Sequence, residues 1–425
     1  MTELVARQPI FTRRETVYGY ELLFRSGLAN LFDGKDGEAA SRAVADQLIT
    51  VGQSLTHGRK AFINCTAEFL LREFVTLLPP TNTVVEILET VKPDPEVVSA
   101  CRKLKRAGYT IALDDFVAQD RLEPFIELAD IIKVDFMLAP VSVRKDLIQE
   151  FAPRGVRMLA EKVETRQEFE EALAAGYEYF QGHFFSRPEI VPGRRLSVSK
   201  LSALQILLAV SHPNPDLYEL EQAITYHLPV CYKLLRYVNS PFLGFRSEVK
   251  SVRHALALLG QAEVRRLVSL AVALSIANGK PPELINSALL RARSCELLAS
   301  RLRQQGLQVD SSAAFLVGMF SIMDALLGQP LSEILDQVAL PSEAREALRG
   351  GAGHLRDVYE LVDAYDSANW TAVSLGLNRL HLDESAMPVV YFEALDWVAK
   401  ILEVQSCVGP GWTSANEQAN RYLLV

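Results

Sequence analysis

The sequence predicts two domains of different class: a (β/α) barrel over residues 1–195, followed by an all-α domain over residues 196–425. Two observations carry the prediction. Between residues 17 and 182, seven short runs rich in β-branched and aromatic residues alternate with charged, amphipathic stretches. After residue 199 convincing strand runs give way to helical ones punctuated by proline and glycine.

The strand runs are VYGYELLFR (17–25), KAFINCT (60–66), TVVEIL (83–88), YTIALDD (109–115), DIIKVD (130–135), VRMLAEKV (156–163) and YEYFQG (177–182). Their near-continuous apolar character suits strands covered on both faces, as in parallel α/β folds. PDPEVVSACRKLKRAG (93–108) opens on prolines and acids and closes on glycine, the marks of a helix. TRQEFEEALAAG (165–176) offers a threonine cap, early acids and a terminal glycine. The number of repeats favours a closed barrel, with an open doubly wound sheet as the alternative.

In the second half, KLSALQILLAV (200–210), DLYELEQAITYHL (216–228), PVCYKLLRYVN (229–239), SVRHALALLG (251–260), QAEVRRLVSLAVALSIAN (261–278), PELINSALLRARSCELLASRLRQQG (282–306) and DSSAAFLVGMFSIMDALLG (310–328) repeat apolar residues at three and four. The boundary is placed in RPEIVPGRRLSVS (187–199), where prolines and a glycine cluster. Residues 406–425 carry GPGW and a polar stretch but no readable motif.

Composition narrows the function classes. A net charge of −8 argues against a broad nucleic-acid surface, which needs a basic face. Cys65, Cys101, Cys231, Cys295 and Cys407 are dispersed without CxxC spacing, which suits reduced thiols in a cytoplasmic protein. The N-terminal MTELVARQPIFTRRE lacks an apolar leader core, and no run approaches the ~18 apolar residues of a membrane span.

Reactive groups of a parallel barrel gather at the C-terminal ends of its strands. Those ends carry Glu21 and Arg25, Asn64, Glu86, Asp114 and Asp115, Lys133 and Asp135, Glu161 and Glu164, and Gln181. Any one of these is ordinary as a surface or ion-paired residue. The set is not, because Asn64, Glu86 and Lys133 sit inside apolar strands, where an uncompensated polar group is costly. Glu21, Asn64, Glu86 and Asp114 are hard oxygen ligands suited to Mg²⁺ or Mn²⁺. Adjacent Asp114 and Asp115 reach one site only where the strand turns out, and they suit one ion or two. Two ions about 3.5–4 Å apart would clamp a phosphodiester. Lys133 would orient the attacking water or neutralise phosphate charge, and Glu161 would ligate metal or act as base.

These motifs, in order, resemble the EAL family of cyclic di-GMP phosphodiesterases across essentially all of residues 1–195. YELLFR (20–25) stands at the EAL-x-R signature, which implies a ligand role for Glu21 and a phosphate contact for Arg25. INCT (63–66) implies Asn64 as a ligand. EILE (86–89) resembles E-x-x-E, which implies Glu86 as a ligand and Glu89 as an anchor for the loop after Asp115. LDDF (113–116), IKVD (132–135), AEKVET (160–165) and FQGHFFSRP (180–188) supply Asp114 and Asp115, Lys133, Glu161 and Glu164, and Gln181. The family fold is a TIM-like (β/α) barrel. By the resemblance, Glu21, Asn64, Glu86, Asp114 and Asp115 hold metal, Glu161, Lys133 and Asp115 serve catalysis, and Arg25, Gln181 and Glu164 bind substrate.

Three departures stand out. EAL is here Glu21-Leu22-Leu23. The glycine of AEGVET is Lys162, which strand alternation would turn away from Glu161. Where active members read roughly DDFGTGYSSL, this chain reads DDFVAQDRL, shorter and without the two glycines that free the backbone to close over substrate.

ITYHLPVCYKLLRYVNSPFLGFRSEVKSVRHALALLGQAEVRRLV (224–268) resembles the HDOD domain, through LLRYVNS (234–240) and SVRHALALLG (251–260). That domain is related to HD phosphohydrolases but generally lacks their metal set. His227, His254 and His354 stand isolated, and Ile322-Met323-Asp324 occupies the place of a His-Asp pair. The arrangement implies a bacterial signalling protein. Its barrel would bind cyclic di-GMP with weak or no turnover, because of the altered loop, and its HDOD half would pass the state to a protein partner. The alternative is an active Mg²⁺- or Mn²⁺-dependent phosphodiesterase making linear pGpG, with no covalent cofactor. A scaffold that binds no nucleotide is the third reading, and self-association as a homodimer stays open.

Overall fold

The computed structural model describes residues 3–26, 55–56, 58–116, 122–185, 196–212, 214–240, 243, 249–277 and 280–407, without the side chains of 24–26 and 401–407. The chain divides into two compact units. The first comprises Met1–Glu189 with Pro281–Glu283 and Glu360–Val389; the second comprises Ile190–Lys280, Leu284–Tyr359 and Val390–Val425.

In the first unit eight strands close into a barrel: β1 (Glu3–Thr12), β2 (Val17–Ser26), β3 (Lys60–Cys65), β4 (Thr83–Ile87), β5 (Thr110–Leu113), β6 (Ile131–Asp135), β7 (Arg157–Glu161) and β8 (Tyr179–Gln181). The seven predicted runs are β2 to β8, and the closed form prevails over the open sheet. The pattern is not wholly parallel, however. An eighth strand, β1, runs antiparallel to both β2 and β8. It escapes sequence reading because its hairpin turn, Arg13–Thr16, contains no glycine or asparagine. Glu15 takes the left-handed φ of 56° there instead.

Local signals explain the helices. Asp94 precedes the helix Pro95–Arg106, and Gly108 follows it at φ 92°. Thr165 and Glu168 cap each other in front of Arg166–Ala175, and left-handed Gly176 ends it. This reciprocal cap satisfies N–H groups that would otherwise be left unbonded at the helix start.

One buried layer closes the floor of the barrel: Ile10, Phe62, Val84, Ala112, Ile131, Leu159 and Tyr179. In a strand every second side chain shares a face. Two residues beyond these, toward the C-terminal ends of the parallel strands, come Asn64, Glu86, Asp114, Lys133, Glu161 and Gln181. On antiparallel β1 the same step runs backward, from Ile10 to Gln8. The apolar floor therefore fixes the height and direction of a polar layer above it.

The second unit is helical throughout its described residues. Its helices include Val198–Ser211, Leu217–Tyr226, Leu228–Val238, Val252–Ile276, Pro282–Gln304 from Leu284 onward, and Ser311–Phe320. Gly260, at φ 69° and ψ 163°, interrupts Val252–Ile276 at the point where two runs are separate in the sequence. The predicted run 310–328 likewise divides, into Ser311–Phe320 and Met323–Leu327. The last described helix is Ala386–Cys407; residues 408–425 lie outside the described residues, as does most of the predicted boundary segment 187–199.

Candidate active site

Lys133 is the centre of the polar layer. It lies on β6, is fully buried, and its Nζ is surrounded by four carboxylates. The distances are 2.7 Å to Glu86 Oε1, 2.7 Å to Asp114 Oδ1, 2.8 Å to Glu161 Oε1 and 3.4 Å to Glu21 Oε2. One ammonium faces four carboxyl groups, an excess of negative charge in a place water barely reaches.

The excess shows in the protonation equilibria. Burial drives the Glu86 carboxyl well above the usual carboxylate range, and Lys133 offsets this only in part. Burial likewise pushes Glu161 up to about 8, against the pull of Lys133. Glu21 is also buried, but Lys133 and hydrogen bonds from Gln181 and Asn64 outweigh that and hold its carboxyl low. Burial opposes the charge on Lys133, yet Glu161, Glu21, Glu86 and Asp114 together keep it firmly protonated.

Glu21 is tied from two further strands. Asn64 Nδ2 donates to its Oε1 at 2.9 Å, and Gln181 Nε2 donates to its Oε2 at 2.8 Å. Gln181 Nε2 also reaches Gln8 Oε1 at 2.9 Å. Gln8 is the residue that sequence reading missed, since the strand carrying it was missed. The signal was present in the alternation of VARQPIF, which places Gln8 two residues from core Ile10.

Several buried oxygens here accept no hydrogen bond: Asn64 Oδ1, both oxygens of Glu86, Glu161 Oε2 and Gln181 Oε1. Glu86 Oε1 at least pairs with Lys133, but the others face an unmet electrostatic demand. Among the described residues no three Asp, Glu, His or Cys side chains stand grouped as a ready-made ion site. The acids are arranged around an ammonium instead.

A second, outer set lies beside this one. β5 ends at Leu113, and Asp115 turns with φ 39°, so Asp114 and Asp115 both line a cavity of about 360 Å³. Lys162 follows β7 and also takes a left-handed φ, 52°. That turn cancels the strand alternation expected to point Lys162 away. Its ammonium hydrogen-bonds Asp135 Oδ2 and stands 3.9 Å from Asp115 Oδ1, and it lines the same cavity. Asp135 also accepts the backbone N–H groups of Met137 and Leu138 at 2.6 and 3.1 Å. Burial, then neighbouring Asp114, raises the Asp115 carboxyl.

The remaining residues stand at the rim. Glu164 lines the cavity and pairs with His183 at 3.3 Å, a contact not anticipated from sequence. Gln181 is buried below them, and the Gly182 after it has φ 140° with no room for a side chain, since an added Cβ would stand 2.2 Å from the Val163 oxygen. Glu89 is exposed and borders a separate cavity of about 640 Å³ with Asp115 and Phe116. The altered segment 117–121 lies outside the described residues, as does the side chain of Arg25, whose backbone pairs with Leu4.

Comparison with known proteins matches two families along the chain. Residues 50–188 match the EAL domain family and residues 199–345 the HDOD domain family. The chain is 36% identical over 401 residues to the cyclic di-GMP phosphodiesterase CdgJ of Vibrio cholerae, covering 93% of this chain and 92% of that protein. It is 34% identical over 415 residues to the YuxH protein of Bacillus subtilis, covering 95% of this chain and all of that one. Among solved structures, the manganese and cyclic di-GMP complex of Klebsiella pneumoniae BlrP1 at pH 6 is 23% identical, with a TM-score of 0.38 over 44% of this chain and 56% of that chain; a likeness at that level carries no weight here. The extent of the match to CdgJ and YuxH decides the matter: this chain belongs to the family of proteins that join an EAL domain to an HDOD domain.

Proposed function

We propose, from membership of the EAL–HDOD family, that the barrel binds cyclic di-GMP at its strand ends with a divalent cation and opens one phosphodiester bond to give the linear dinucleotide. The observation that carries this reading is the surplus of buried carboxylate around Lys133, with orphaned oxygens on Asn64, Glu86 and Glu161. Hard oxygen donors and an unbalanced negative charge are what Mg²⁺ or Mn²⁺ requires.

Glu21, Asn64, Glu86 and Asp114 would hold the ion, with Asp115 at its outer side. When bound, it supplies Lewis-acid stabilisation of charge on the phosphoryl oxygens. The protein's own groups do the rest. Lys133 keeps its proton and places a fixed positive charge beside the reacting phosphate. Glu161, in its ionised form, accepts a proton from the attacking water. Water adds to phosphorus, the bond from phosphorus to the 3′ oxygen breaks, and that oxygen takes a proton from solvent and leaves as a hydroxyl. Glu164 at the rim and Arg25 at the end of β2 contact the nucleotide, Gln181 holds Glu21 from below, and Glu89 anchors the loop after Asp115.

In the same reading the barrel spans residues 1–195 and the HDOD domain residues 196–425. The HDOD half relays the state of the barrel to a protein partner.

Incubation with cyclic di-GMP and Mn²⁺ tests the reading, with pGpG as the product expected. Glu21→Ala is expected to abolish turnover, and survival of activity in that variant would refute the ligand assignment. A second reading, binding without turnover, is favoured by the pairing of Lys162 with Asp115. Calorimetric titration of cyclic di-GMP in the presence of Ca²⁺ distinguishes it, because heat of binding without product supports it.

A further inference from the structure

Two lysines serve two acidic sets, and the charge accounts of the sets differ. The inner set has four carboxylates, from Glu21, Glu86, Asp114 and Glu161, around the single ammonium of Lys133. The outer set has two, Asp115 and Asp135, around the ammonium of Lys162. One oxygen of Asp135 is already committed to two backbone N–H groups, and the other is taken by Lys162. In the outer set one ammonium thus serves two carboxylates, with Asp135 engaged on both oxygens and Asp115 facing Lys162 at 3.9 Å, whereas in the inner set one ammonium serves four.

Geometry places Lys162 there by construction. Asp115, Asp135 and Lys162 come from the ends of three successive strands, β5, β6 and β7. Asp115 and Lys162 both adopt left-handed backbone conformations, costly for residues with side chains, and these turn the carboxylate and the ammonium into one cavity. Glycine would adopt φ 52° without strain, whereas this chain places a lysine there.

We propose that the Lys162 ammonium takes the place of a second divalent cation beside Asp115, so that the site binds one metal ion per chain, at the inner carboxylates. The inference rests on the metal-site reading above. A dinuclear phosphodiester site uses two cations about 3.5–4 Å apart. Here adjacent Asp114 and Asp115 would be shared between them, and a tethered ammonium 3.9 Å from Asp115 repels an incoming ion and competes for its ligand. The expected consequence is a mononuclear site in which Lys162 supplies outer positive charge without metal.

Metal counting on the full-length protein tests this. Wild-type protein equilibrated with Mn²⁺ is expected to retain one ion per chain, with the spin-resonance spectrum of an isolated ion. Lys162→Gly relieves the backbone and opens the outer position, and Lys162→Met keeps a long side chain without charge. Both are expected to bind two ions, with a spin-coupled spectrum, and Lys162→Arg is expected to stay at one. Two ions in the wild type, or a single ion in all variants, would overturn the inference. No ion in any of the four proteins would overturn both it and the metal-site reading beneath it.

Discussion

The Lys133 ammonium lies 2.7 Å from Glu86 Oε1, and both side chains are closed to solvent. Neither group is tolerable there alone. Removing one member of a buried pair strands the other, which costs about 3–5 kcal/mol. Lys133→Met is therefore expected to destabilise the metal-free protein by roughly that amount. Added Mn²⁺ should recover much of the loss by supplying the missing positive charge. Urea denaturation with chelator and then with Mn²⁺ measures both, and a variant as stable as wild type in chelator would show that the four acids do not depend on Lys133.

Tyr365 caps a stretch of β1 that β8 leaves unpaired. β1 pairs with β2 over Glu3–Phe11 but with β8 only over Ile10–Thr12. The Tyr365 hydroxyl donates to the Val5 carbonyl at 3.0 Å and accepts from the Val5 N–H at 3.3 Å. Tyr365→Phe leaves both buried backbone groups unmet, with an expected loss of about 1–3 kcal/mol. The midpoint of chemical denaturation checks it, and faster amide exchange at Val5 would localise the effect.

Gly182 has both a forbidding φ and no space for a methyl group. Gly182→Ala adds backbone strain to a clash with the Val163 backbone, and the expected cost is about 3 kcal/mol or more. Because Gln181 precedes it and holds Glu21, the cyclic di-GMP binding proposed above should weaken along with stability. An alanine variant with wild-type melting temperature would contradict the close approach of Gly182 to the Val163 backbone.

Asp324 gives a pH dependence away from the barrel. Burial raises its carboxyl above the usual range, while the Ala325 N–H and Arg291 pull it down in part. A carboxyl whose folded value is raised is better tolerated protonated. Stability is thus greatest below the unfolded value of about 4 and declines as pH rises through the folded one. Asp324→Asn removes that decline. The melting-temperature advantage of the variant is expected to grow from about pH 4 toward neutrality, and an advantage that stayed constant or shrank would reverse the assignment.

Much of the site is legible in the strand runs, for a simple reason. The polar residues at 64, 86, 114, 133, 161 and 181 each follow a floor residue by two positions, so period-two alternation places them together without knowledge of the fold. The helix ends at Thr165 and Gly176 are equally local, since caps depend on neighbours three or four residues away. Three features are not legible in this way. β1 has a turn without the usual turn residues. Lys162 reads as pointing outward until its left-handed backbone is seen. Tyr365 finds its partner, Val5, 360 residues away.

The sequence by itself determined the two domain classes, the ring of acids and amides at the strand ends, and the likeness to the EAL and HDOD families, because periodicity and motif order are properties of short segments. Tertiary structure alone decided that four of those acids converge on Lys133, that Gln8 joins Gln181 beneath them, and that Lys162 turns in to face Asp115. These are distances between strands brought together by barrel closure, and the energies that fix them, burial of charge above all, exist only once water has been excluded from the space between.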